Sequence, residues 1–112
     1  MRFLLVIIFF YSQIQAQNYY VYVAAESDDT VSLIKFNETE AKEVERFEVG
    51  YLPTEIEGPH GITVDPNGEF WYLSLAHGNP FGKLIKYSTK NNEPLDQTTL
   101  GLFPASMQIS SV

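Results

Sequence analysis

From Tyr19 onward the apolar residues of this chain come in short bursts divided by polar clusters. Tyr19 to Ala25, Thr30 to Phe36 and Ala41 to Val49 form one series, and residues 62–65, 69–76, 83–88 and 95–100 form a second. Each burst is rich in β-branched and aromatic residues and is bounded by Gly, Pro, Asn, Asp or Ser, which predicts strands. Apolar positions at helical spacing are scarce throughout. The strongest turn is Asp65-Pro66-Asn67-Gly68, where proline presets one dihedral and glycine accepts a positive one. The chain therefore reads as all-β.

The bursts recur. Tyr19 to Ala25 lines up with Phe70 to Ala76 at a spacing of 51 residues, and at the same spacing Leu33-Ile34-Lys35-Phe36 meets Leu84-Ile85-Lys86-Tyr87. Val49-Gly50-Tyr51-Leu52-Pro53 then meets Leu100-Gly101-Leu102-Phe103-Pro104, and no gap is needed. Units of four short antiparallel strands repeating every 40 to 50 residues or so mark the blades of a β-propeller. The stretch Pro59-His60-Gly61-Ile62-Thr63-Val64-Asp65-Pro66-Asn67-Gly68 resembles the PHGIxVxPDG segment of YVTN-type β-propellers, whose relatives include the quinoprotein amine dehydrogenase-like seven-bladed propellers. Asp29-Thr30-Val31-Ser32-Leu33-Ile34 resembles the DNTVSVID segment that follows it in that family.

This resemblance implies a blade order running from the central channel outward. Residues 62–65 become the innermost strand, 69–76 the second, 83–88 the third and 95–100 the outermost. The expected divisions are a first blade over 17–58 lacking its innermost strand, a second over 59–104, and the start of a third over 105–112. On that expectation the chain is an N-terminal fragment, about two blades of a protein of roughly 350 residues. Blades bury their faces against neighbours, so two alone leave apolar faces and strand edges that call for further blades or self-association.

The start of the chain changes the compartment. Met1-Arg2 opens with a positive charge, Phe3 to Phe10 is unbroken apolar sequence, and a polar stretch ends at Ala16, the layout of a secretory signal peptide over residues 1–16. The run is too short to span a hydrocarbon layer that needs about 20 residues in a helix. A secreted or periplasmic protein without stable membrane insertion is expected. When Arg2 leaves with the leader, the formal charge falls from −7 to −8. Such a surface repels nucleic acid phosphates. No cysteine is present, so stability rests on burial without disulfides.

Candidate chemistry centres on the two histidines. The blade order places His60, entering an innermost strand, and His77, between the second and third strands, in loops on one face beside the channel. Glu26 occupies the repeat position of His77, while Glu55 and Glu57 lie in the insertion before His60. Imidazole with carboxylate suits zinc, copper, iron or manganese, so His60 and His77, with Glu26, Glu55 and Glu57, are the candidate transition-metal or cofactor ligands. Gly58, Gly61, Gly78 and Gly82 would admit close backbone approach. The plainer reading is that His60-Gly61 is a loop-to-strand hinge and that His77-Gly78-Asn79-Pro80 shapes a turn. Trp71 and its aromatic neighbours read as core or inter-blade packing. Asn37-Glu38-Thr39 fits a glycosylation sequon, meaningful in a eukaryotic secretory route. No nucleophile elbow or phosphate-cradling glycine loop occurs.

Three functional readings follow from the sequence. One is an exported binding or interaction module, taking a protein or small-molecule ligand on its channel face. Another is a redox or metal-dependent propeller acting with a cytochrome-like carrier, as the family resemblance implies. The last is an inactive fragment of a longer propeller.

Overall fold

The computed structural model describes residues 16–77 and 80–111. Residues 1–15 of the expected leader, Gly78 and Asn79, and Val112 lie outside the described residues. Two antiparallel sheets make up the fold. The first has three strands, β1 (Tyr19–Ala25), β2 (Thr30–Phe36) and β3 (Ala41–Glu48), in chain order. The second has four, β4 (Pro59–Val64), β5 (Phe70–Leu75), β6 (Lys83–Ser88) and β7 (Pro94–Thr99), also in chain order. These ranges follow the bursts of the sequence to within a few residues at each end. Among the described residues the only helical element is a 3-10 turn at Glu26–Asp28, and no helix is long and apolar enough to cross a membrane.

The turns show why the strands end where they do. Asp65 accepts from the N–H groups of Glu69 (2.7 Å), Phe70 (2.8 Å) and Asn67 (3.2 Å), closing the β4–β5 hairpin over Gly68 with its φ of 71°. These bonds favour the charged form and hold the Asp65 carboxyl below its usual range, the Phe70 N–H acting most strongly. Between β2 and β3, Asn37 Oδ1 accepts from Thr39 N (2.9 Å) and Glu40 N (3.1 Å), so the sequon sits in a tight side-chain-stabilised turn.

The core lies between the sheets. Trp71 on β5 is fully buried, stacked on Tyr87 of β6 at 4.0 Å and 7° and on Tyr22 of β1 at 4.7 Å, with Phe47 of β3 tilted against it at 5.5 Å. Val31, Leu73, Leu75 and Ile85 complete the cluster. Trp71 Nε1 and Tyr22 Oη both donate to Asn92 Oδ1, at 3.2 and 2.8 Å, and Asn92 Nδ2 donates to Glu45 (2.7 Å). Asn92 holds a φ of 55°, a left-handed value that asparagine tolerates well. Burial pushes the Tyr22 hydroxyl up, with help from the nearby Glu45 charge, and pushes that of Tyr87 up further.

The strand pairing is not gapless. Leu73 pairs with Ile85, yet Tyr22, the residue 51 positions before Leu73, pairs with Leu33 instead of Ile34. With this register β1 and β2 are joined by the short Glu26–Asp29 connection, closed by Asp29 with a φ of 47°, and β5 and β6 by a longer one between Leu75 and Lys83. A one-residue slip turns every side chain of a strand to the opposite face. Tyr22 and Ala24 consequently pack onto the second sheet, while Val21 and Val23 face outward, 43% and 46% exposed. Leu33 lines the space between the sheets with Tyr20 and Val64, whereas Leu84, its counterpart on β6, lines the far face of the second sheet with Tyr72 and Thr63. The two sheets thus stack face on back.

Residues 105–111, expected to open a third blade, form no strand. They run beside β4. Ser74 Oγ accepts from Gly61 N (2.8 Å) and donates to Ala105 O (3.1 Å). A side chain at Gly61 would collide with Ala105 O and Ser74 Oγ, so glycine is required for this close passage.

Candidate functional site

At the end of β5 opposite the Asp65 turn, three connections converge. The 3-10 turn after β1 brings Glu26, the start of β4 brings His60, and the residue beyond Leu75 is followed by His77. His77 Nε2 lies 2.7 Å from Glu26 Oε1, and His60 Nε2 lies 3.9 Å from Glu26 Oε2. An ionised Glu26 accepts a hydrogen bond from the His77 ring. That bond, and secondarily the two imidazoles as charges, hold the Glu26 carboxyl below its usual range. The carboxylate is open to water, so the contact orients side chains far more than it stabilises the fold.

A fourth residue caps the corner. Phe103, in the segment leaving β7, meets His77 edge-on at 5.0 Å and His60 at 5.8 Å. It has a φ of 52°, uncommon for an aromatic residue, and is 54% exposed. An exposed ring held in a left-handed conformation beside two imidazoles is a feature that the sequence did not announce. The one available signal was its place after Gly101-Leu102, at the repeat position of Leu52, just ahead of the insertion before His60.

The corner is supported from beneath by Asp29. Its carboxylate accepts from Glu57 N (2.9 Å) and Gly58 N (2.8 Å), and its carbonyl accepts from Val49 N (2.9 Å). The same two residues then receive the end of β5, with Ala76 N donating to Gly58 O and His77 N donating to Glu57 O, both at 2.8 Å. One side chain of the first sheet therefore locates the segment that locates His77. Gly58, with a φ of 66°, lies directly under the His77 ring, and a side chain there would occupy the ring's place.

The sequence candidates separate into two groups. Glu26, His60 and His77 come together. Glu57 does not join them: only 3% exposed, its carboxylate accepts from the N–H groups of Tyr51 and Leu52 and braces the loop that enters β4. Glu55 lies in an open groove with Ser27, Asp28 and Pro53. Of the glycines singled out, Gly58 serves the His77 ring and Gly61 the passing segment, Gly82 packs under Pro104, and Gly78 lies outside the described residues.

Two imidazoles and a carboxylate are a donor set that zinc or copper accepts. Here, however, the two oxygens of Glu26 are directed one to each ring, and among the described residues no group of three His, Cys, Asp or Glu side chains is arranged to hold an ion. The arrangement is a hydrogen-bonded carboxylate–imidazole pair with a second imidazole alongside. Comparison with family models, with curated proteins and with solved structures finds no match to this chain.

Proposed function

We propose that the chain belongs to an exported β-propeller of the YVTN type, acting as a binding or interaction module whose ligand docks at Glu26, His60, His77 and Phe103. The observation that carries this reading is the 2.7 Å contact between Glu26 and His77, residues 51 apart in sequence. Rigid strands deliver polar and aromatic groups to one exposed corner, the usual division of labour between scaffold and recognition loops. The corner offers a ligand one carboxylate acceptor, two imidazoles and an aromatic edge. A small polar molecule or peptide with both a donor and an apolar portion fits that set. The stacking of two consecutively wound antiparallel sheets supports the propeller part of the reading.

The test is capture of peptides, glycans and small amines from defined arrays by the whole chain. His77→Ala and Phe103→Ala run alongside. Hits that weaken at least tenfold in both variants support the corner as the binding site. Hits retained in both variants would place binding elsewhere. A parallel titration with zinc and copper ions, followed through the histidine ring signals, asks whether an ion can displace Glu26 from between the rings.

A further inference from the structure

The face that the second sheet presents away from the first is built like a face that is already covered inside the molecule. Leu33 on β2 lies between the sheets with Tyr20 and Tyr22 beside it. Leu84, its counterpart on β6, sits half-buried with Tyr72 in a groove whose other wall is the chain's own Pro104, Met107 and Ile109. The outward face of the first sheet in turn copies what Leu33 and Tyr22 pack against. With the one-residue slip, Val21 and Val23 correspond to Leu73 and Leu75, and Ile34 corresponds to Ile85. Leu73, Leu75 and Ile85 are buried, whereas Val21 and Val23 are 43% and 46% exposed. Each copy therefore carries both halves of the interface that joins its own two sheets, one half at each end.

The strand inventory shows the same complementarity. The second sheet has a strand, β4, on the far side of β5 from β6, while among the described residues the first sheet has none beside β1. The segment from Pro104 to Ile109 repeats the pattern of Pro59 to Val64, with Met107 and Ile109 at the positions of Ile62 and Val64, yet has no strand partner among the described residues. Neither β1 nor residues 104–109 carries a charge that would oppose pairing.

We propose that copies of this chain assemble head to tail. Residues 104–109 of one copy pair with the free edge of β1 in the next, and Tyr72 and Leu84 pack against Val21, Val23 and Ile34. This inference rests on the propeller reading of stacked sheets. The interface joins unlike surfaces, so it either closes into a ring or runs on as a filament. Propellers close at roughly four to eight sheets, so copies contributing these two sheets each would close at two, three or four. Strand addition supplies backbone hydrogen bonds to an edge that is otherwise open to indiscriminate pairing.

The pairing of Ile62 with Leu73 predicts Met107 opposite Val21 of the neighbouring copy. The chain has no native cysteine, so a disulfide probe reads cleanly. Whole chains carrying Val21→Cys are mixed with whole chains carrying Met107→Cys under mild oxidation, and native mass is measured for the unsubstituted protein. A mass of two to four copies, together with disulfides between the unlike variants, is expected. Val21→Lys combined with Val23→Lys should give single copies with the near-ultraviolet signal of Trp71 retained, since those valines face away from it. A single-copy native protein, or disulfides predominantly between two Val21→Cys chains, overturns the proposal. Either failure leaves the docking corner standing or falling on the His77→Ala and Phe103→Ala results, which do not depend on assembly.

Discussion

The two ends of β5 join the same pair of sheets by different physics. At one end Trp71 is sealed between Tyr22 and Tyr87, with its N–H satisfied by Asn92. At the other, His77 meets Glu26 in the open, beside His60 and Phe103. Burying large aromatic surface contributes several kcal/mol, whereas an exposed carboxylate–imidazole contact contributes little against water. The first end holds the sheets together and the second leaves its groups available to a ligand. Asp29 lies between these roles, since its bonds to Glu57 and Gly58 transmit the position of the first sheet to the His77 segment.

The contrast can be broken at its strong end first. Trp71→Ala should destabilise the chain by about 3–5 kcal/mol, from lost burial plus the cavity left behind, measured by urea unfolding. Asp29→Ala leaves the Glu57 and Gly58 N–H groups without their charged acceptor and should cost about 2–3 kcal/mol, while also shifting the His77 ring signals. Asn92→Gly keeps the left-handed backbone but removes the acceptor shared by Trp71 and Tyr22, at about 1–2 kcal/mol, and should alter the tryptophan fluorescence.

At the weak end the loss of an exposed side chain, as in His77→Ala, should appear in chemistry and leave the melting midpoint unmoved. Gly58→Ala should displace the His77 ring and disrupt the Glu26 contact and, because residue 58 is buried with a φ of 66°, should also lower the melting midpoint. Because the folded Glu26 carboxyl is held low, the contribution of its contact is fully present above the ordinary carboxylate range. It is lost as pH falls through the lowered value. Carboxyl-carbon signals followed against pH should give Glu26 a midpoint below that of a glutamate in an unstructured peptide, and His77→Ala should move it up. A Glu26 midpoint unchanged by His77→Ala would remove the distinction between the two ends.

Much of this was legible in the pattern of residues. The alternation and the turn residues locate seven strands, and Asp65-Pro66-Asn67-Gly68 marks the tightest hairpin. The repeat spacing puts Glu26 and His77 in equivalent connections, which is why their meeting could be anticipated. The roles of Glu57 and Asp29 could not be read in this way. A carboxylate in a loop gives no sign of whether it faces solvent, a histidine or a row of backbone N–H groups. Phe103 was equally silent, because its exposure depends on how the segment leaving β7 turns back toward β4.

Local chemistry determined the all-β character, the strand limits and the turns, since dihedral preference and alternation act over a few neighbouring residues. Tertiary structure alone decided the one-residue slip between β1 and β2, and with it which face of β1 is buried. That choice depends on how a short turn closes against a second sheet, and a face is apolar in both registers until a partner covers one of them.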